Sequence, residues 1–192
     1  MGQVKNILAV IGVIAILAVA VLFAKMEPIV SRFDPETRAT YAQMATVLLA
    51  TGNPAEATVW KAKVKDGLSF DDVDQAIKSV ATTMNIKGVG ELPLGDQVSK
   101  MQGSPWRKLK IYLYCNPLTA AHMIEYSDSF SAYLPCRIAL LQDNTGKLWI
   151  YTMNMDMLIY GGKPLPPALK AEALQVKKIM KTILKLGAEG EF

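Results

Sequence analysis

The chain is poor in the residue types that most often carry chemistry. Its 192 residues include one histidine, His122, and two cysteines, Cys115 and Cys136. The cysteines do not form a C-x-x-C pair, which excludes a zinc knuckle, a thioredoxin-type motif and covalent haem attachment. Two cysteines also exclude a disulfide-dense miniprotein. Charge of one sign is lacking: 21 basic and 17 acidic residues leave a formal net charge of +4. That is too little for a dedicated nucleic-acid binder, although Trp106-Arg107-Lys108 and Lys110 mix basic and aromatic character. Gly161-Gly162-Lys163-Pro164 lacks the spacing of a phosphate-binding loop. No nucleophile elbow supports a Ser-His or Cys-His device. There is no internal repeat and no low-complexity tract.

What the chain has is an apolar excess. Apolar residues make up 51% of it, slightly above an ordinary soluble domain. The excess sits in Ile7 to Ala24, where Gly12 alone interrupts an otherwise apolar run. Removing that run leaves roughly 47% apolar residues, an ordinary globular value. As a helix it spans about 27 Å, close to the hydrocarbon thickness of a bilayer. The run exceeds a typical signal-peptide core, and the small-x-small site at its end is poor because Leu22 precedes Ala24 by two residues. We therefore expect an uncleaved single-pass anchor. The short tail before it favours the domain outside, facing the periplasm from a bacterial inner membrane, although Lys5 is nearly balanced by Lys25 and Arg32. The expected organisation is an anchor over 1–25, a juxtamembrane linker and helix over 26–54, and an α+β domain with a C-terminal amphipathic helix over 55–192.

Asp34-Pro35 is expected to open a helix, with Asp34 as N-cap and Tyr41, Met44, Ala45, Leu48 and Leu49 as its apolar stripe. A strand is expected from Ala57 to Lys65. Ser69 and Asp72 start the next helix, with Val73, Ile77, Val80 and Met84 inward. Ile86 to Leu92 reads as a strand and Leu94 to Met101 as a short helix. Leu109 to Cys115 is a strong strand, with Tyr112 and Tyr114 on one face. Asn116-Pro117 caps a helix through Tyr126. Arg137–Leu141 and Lys147–Met153 form a hairpin across Asp143-Asn144-Thr145-Gly146. Gly161-Gly162 breaks the chain, and Pro166-Pro167 opens a last helix to Leu186. This order predicts a ferredoxin-like α+β sandwich, one mixed sheet with helices on one face, preceded by the transmembrane helix.

Few residues compete for a functional role. With one helix between them, the strands that carry Cys115 and Cys136 are expected to run in the same direction. That puts the two thiols about 20 Å apart at opposite sheet ends, beyond the reach of a disulfide. They then read as small buried hydrophobes. Arg137 and the helix start beside Cys115 supply the only positive potential near either thiol. His122 is a surface residue or, in the sharper reading, an axial ligand to haem b, with a partner chain supplying the second ligand. Met153, Met155 and Met157 read M-x-M-x-M. Thioethers suit Cu(I), but Asn154 is expected to cap a turn after Met153, so core packing is preferred. On the last helix Lys170, Lys177, Lys178, Lys181 and Lys185 fall within about 100°. They form a solvated face or contact anionic headgroups.

Several pieces together resemble a known family. They are Tyr114-Cys115-Asn116-Pro117, Leu134-Pro135-Cys136-Arg137-Ile138-Ala139, the turn from Asp143 to Lys147, and Leu148-Trp149-Ile150-Tyr151-Thr152-Met153-Asn154. Asp71 to Leu94 adds Asn85-Ile86-Lys87 and Val89-Gly90. This set resembles the bacterial domain of unknown function numbered 302. Gly161-Gly162-Lys163, Pro166-Pro167 and the terminal Phe192 resemble a membrane-tethered subgroup. The resemblance implies a compact α+β domain that tends to dimerise, no established enzymatic reaction, and haem binding in some members. Three functions follow as expectations. The first is a non-enzymatic, membrane-tethered binding or accessory protein, a homodimer taking haem or another apolar ligand. The second is a thiol redox enzyme or sensor using Cys115 or Cys136. The third is a structural subunit of a membrane complex. A nucleic-acid partner is not expected.

Overall fold

The computed structural model describes residues 2–191. Five strands form one sheet: β1 (Val59–Lys63), β2 (Lys87–Leu92), β3 (Leu109–Cys115), β4 (Cys136–Gln142) and β5 (Leu148–Met153). Their order is β1-β5-β4-β3-β2, and every neighbouring pair is antiparallel. The helices are α1 (Gly2–Val30), α2 (Thr37–Thr51), α3 (Pro54–Ala57), α4 (Phe70–Thr83), α5 (Leu94–Gln102), α6 (Pro117–Tyr126), α7 (Asp156–Tyr160) and α8 (Pro167–Glu189). A 3-10 helix spans Asp128–Tyr133.

The sheet corrects the expected mixed, ferredoxin-like arrangement. After β3 the chain enters α6 and then the 3-10 helix, and this two-part excursion returns it to the sheet end it left. β4 therefore starts beside the end of β3, with Tyr114 opposite Cys136. A single helix would have acted as a crossover to a parallel strand; helix plus 3-10 turn does not. The expected separation of Cys115 and Cys136 at opposite sheet ends is overturned with it.

α4 and α8 pack on one face of the sheet. α4 forms because Ser69 and Asp72 make a reciprocal capping box, satisfying two donors that the first turn leaves unpaired. Val73, Ile77 and Val80 recur at helical spacing and are fully or almost fully buried. α8 contributes Val176, Met180 and Ile183, and the sheet contributes Tyr112, Ile138, Leu140 and Ile150. Gly187 lets α8 sit close: a Cβ there would lie 3.0 Å from Ile77 Cγ1 and 3.2 Å from Ile150 Cδ1. The other sheet face keeps Ile111, Ala139 and Tyr151 half-exposed.

Three local expectations shift. α1 continues to Val30, past the expected linker start, and every residue from Asn6 to Ile29 is exposed. It is long and apolar enough to cross a membrane by length and composition. α2 starts at Thr37 rather than Pro35, after a turn in which the Asp34 carboxylate accepts the Glu36 N–H (3.0 Å). Its apolar stripe is not buried: Tyr41 and Leu48 are exposed, and Leu49 is 87% exposed. Polar contacts hold this helix instead. The Thr37 hydroxyl donates to the Tyr160 carbonyl (2.6 Å) and the Tyr41 hydroxyl to the Gly161 carbonyl (2.9 Å). The break expected at Asn53-Pro54 becomes the single turn α3, with the Asn53 side chain accepting from Ala55 N–H.

Candidate functional site

β3, β4 and β5 alternate in direction, so the end of β3, the start of β4 and the end of β5 meet at one edge of the sheet. Cys115 is the last residue of β3, Cys136 the first of β4 and Met153 the last of β5. α6 begins immediately beyond Cys115. The Asn116 side chain accepts from Leu118 N–H (3.2 Å) and Thr119 N–H (3.3 Å), and Pro117 occupies the first turn, where no N–H is needed. α6 thereby covers this sheet end and brings Met123 over it. The Leu134–Pro135 peptide is cis and leads the chain back into β4. Met155 follows β5 and is buried.

These elements line a partly open cavity of about 50 Å³, room for a few water molecules. Cys115, Cys136, Met123, Met153 and Met155 line it. The rest of the wall is mostly aliphatic and aromatic, with Asn116, Thr119 and Tyr133 its polar members. No charged side chain lines it. Both cysteines are free, Cys136 buried and Cys115 half-buried. Burial pushes the Cys136 thiol up to about 11, helped by the neighbouring Cys115 and opposed by Arg137. Burial also raises Cys115. Both are therefore neutral thiols near pH 7. Thiols so placed make poor nucleophiles.

The remaining sequence candidates lie elsewhere. Arg137 is exposed on the sheet face opposite α4 and α8, near Ala139 and Tyr151. His122 is on α6 but not on the cavity wall. It is exposed, with Nδ1 3.1 Å from each carboxylate oxygen of Glu172. That partner holds the Glu172 carboxyl below its ordinary value. Of the five lysines of α8, Lys170 is paired with the fully buried carboxylate of Asp34. Lys177 is paired with Asp156 and lies over the Tyr160 ring at 4.9 Å. Lys181 sits 5.1 Å from the Trp60 ring centre. Lys178 and Lys185 are exposed. The stripe is thus two structural cations and a smaller outward face.

A haem, which the family resemblance implies, does not fit this cavity. Pockets for ligands of drug size run to about 300–1,000 Å³, several times the space present, and His122 faces away from it. Among the described residues no three His, Cys, Asp or Glu side chains converge as a metal site.

A second polar cluster lies towards the other end of β3. The Asp74 carboxylate accepts from Lys110 Nζ (2.7 Å), the Tyr112 hydroxyl and Lys78 Nζ (2.9 Å). Glu91 pairs with Lys110 (2.6 Å) and Lys78 (3.3 Å). Burial opposes ionisation of Asp74, but the hydrogen bonds from Lys110, Tyr112 and Lys78 outweigh it and hold the carboxyl below its usual value. Two anions face two cations, so the cluster is balanced in charge within itself.

Sequence reasoning missed the convergence of the sulfurs because it placed the cysteines at opposite ends. The M-x-M run was the available signal. Two of its members, Met153 and Met155, line the cavity, whereas Met157 does not.

Residues 60–186 match the family Domain of unknown function DUF302. An uncharacterized protein of Aquifex aeolicus (strain VF5) is 25% identical over 131 residues, covering 68% of this chain and 84% of its own. The crystal structure of the uncharacterized conserved protein DUF302 from Bacillus stearothermophilus superposes with a TM-score of 0.54 at 18% identity. That likeness covers 67% of this chain and 96% of that one, and it concerns the fold alone.

Proposed function

The chain belongs to the DUF302 family, and from its geometry we propose that it is a membrane-anchored, non-enzymatic binding or accessory protein. Its ligand site is the apolar cavity at the meeting of β3, β4, β5 and α6. The cavity is the observation that carries this reading, because its wall is almost wholly apolar and all three flanking strands converge on it. α1 supplies the anchor in the bacterial inner membrane, through residues 7–24, with the domain on the periplasmic side. The tether is short and fixed rather than loose: the buried Asp34 carboxylate holds Lys170 of α8, and Asp34 N–H donates to the Gly162 carbonyl (2.8 Å). In this reading the chain is of the membrane-tethered subgroup, and the exposed Lys178, Lys181 and Lys185 are the set that would meet anionic headgroups. Pairing with a second copy would use the half-exposed sheet face around Ile111, Ala139 and Tyr151.

The thiol-redox reading draws on the two cysteines sharing one sheet end. Raised thiol pKa values make it the weaker one.

Fractionation tests the location. The full chain is expected to stay with membranes through alkaline carbonate extraction, and protease added to intact spheroplasts is expected to digest the domain. Release into the soluble fraction would remove the anchor. Protection from protease would reverse the orientation.

A further inference from the structure

We propose that the cavity is a binding site for a soft monovalent d10 cation, Cu(I), held by one cysteine thiolate and by methionine thioethers. The proposal rests on the reading of the cavity as a ligand site and names the ligand class. The chain carries two cysteines and ten methionines, and five of these twelve sulfur residues line this one small cavity. They come from separate elements: Cys115 from β3, Cys136 from β4, Met153 from β5, Met123 from α6, and Met155 from the turn before α7. Methionine commonly fills irregular gaps in cores. Here five sulfur-bearing residues line a gap instead.

The ligand chemistry selects the ion. Thiolate and thioether are soft donors and favour Cu(I), whereas Mg(II), Ca(II) and Mn(II) require oxygen donors that this wall does not offer. Zn(II) takes three or four Cys, His or carboxylate ligands; the cavity has two cysteines and no histidine or carboxylate. Charge points the same way. An apolar cavity tolerates an ion only when its charge is matched locally. One thiolate neutralises one Cu(I), and thioethers complete the coordination without adding charge. A divalent ion bound to the same set would leave a net positive charge. Size agrees too, since about 50 Å³ admits a bare ion but no organic cofactor. Binding exchanges one thiol proton for the cation: the S–H bond breaks, an S–Cu bond forms, the proton passes to buffer, and no electron is transferred.

The test uses the full-length reduced protein in detergent micelles without oxygen, titrated with Cu(I) against the chelator bicinchoninate. One equivalent is expected to bind, with a near-ultraviolet sulfur-to-copper band. The Met153→Leu, Met155→Leu double variant keeps both thiols and the apolar volume. It is expected to weaken binding by about 100-fold or more, at or beyond the upper limit of the 10–100-fold loss typical of outer-shell partners. Cys115→Ser and Cys136→Ser together are expected to abolish the band. Xenon under pressure probes the cavity independently, through the methyl resonances of its methionines. Xenon entry without Cu(I) binding would overturn the metal and leave the cavity reading standing. So would Cu(I) binding that ignores the methionine substitutions, which would mark a simple thiol adduct. Exclusion of both probes would overturn the cavity reading as well.

Discussion

Strand β3 carries two different kinds of site along its length. Towards its start, Lys110 and Tyr112 join Asp74, Lys78 and Glu91 in a network where every charge has an opposite neighbour. At its end, Cys115 opens onto a cavity lined by five sulfur-bearing residues and by no charged one. The first arrangement is complete in itself. Among the described residues no buried side-chain nitrogen or oxygen lacks a hydrogen-bond partner, so the network has the form of a structural device. The second is incomplete. Its apolar wall has no packing partners on the side of the void. Titratable groups are shifted at both ends, and what separates the ends is that the network is saturated with partners whereas the apolar end leaves room for a ligand.

Substitutions at the two ends should act with opposite sign, and the largest effect belongs to the network. Asp74→Ala leaves Lys110 and Lys78 without that carboxylate and frees the Tyr112 hydroxyl. A loss of about 2 kcal/mol is expected, because Tyr112 loses its acceptor and two charged hydrogen bonds go while Glu91 still pairs with both lysines, read as a lower urea midpoint at unchanged slope. At the other end, Ala120→Val adds methyl groups to the cavity wall. It is expected to raise stability by up to about 1 kcal/mol by filling the void, while removing ligand binding. A large destabilisation would mean that the wall has no room and that the contrast between the two ends is wrong.

The pH dependence separates them further. The Asp74 carboxyl is depressed in the fold. Its contribution is therefore present above the unfolded value near 3.9 and is lost as pH falls through the folded one. Asp74→Ala should flatten part of the acid limb. The Cys136 thiol is raised to about 11. Its contribution is present below the ordinary value near 9 and is lost as pH rises towards 11, because the unfolded thiol ionises first. Tyr112 and Tyr114 are raised as well, Tyr114 to about 12. Their alkaline loss starts about one unit higher, from the ordinary tyrosine value near 10. Cys136→Ala should thus delay the onset of alkaline destabilisation in denaturation midpoints measured between pH 8 and 11.

The smallest effect is expected at the surface. Lys178→Ala with Lys185→Ala should change the stability of the domain by less than about 0.5 kcal/mol. If α8 lies at an anionic membrane, binding of the anchor-free domain to phosphatidylserine vesicles should weaken by about 1 kcal/mol per lysine. Unchanged vesicle binding would restrict these lysines to solvation.

The sequence made local structure legible where one short stretch carries its own signal. Ser69 and Asp72, Asn116-Pro117 and the Asp143 turn each fix an element by hydrogen bonds within four residues. The alternation in Leu109 to Cys115 gave both faces of β3 correctly. What was not legible depended on partners far away in the chain. Asp34 read as a helix cap, and its carboxylate does accept the Glu36 N–H, but it also pairs with Lys170, 136 positions away. The apolar stripe of α2 was legible as a stripe, but Leu48 and Leu49 are exposed, with no core against them. The sense of β4 could not be read from periodicity, because α6 alone and α6 followed by a 3-10 turn leave the same strand pattern while delivering β4 in opposite directions. That single reversal decides whether the cysteines are far apart or share a cavity with the methionines.

The most direct test of the central claim labels the methionine methyl groups of the full chain with carbon-13 and follows them under xenon pressure. Met123, Met153 and Met155 line the cavity, while Met101 is 89% exposed on α5 and serves as the internal reference. The account predicts saturable shifts at the three cavity methionines and none at Met101. Uniform small shifts, or none at the three, would contradict it.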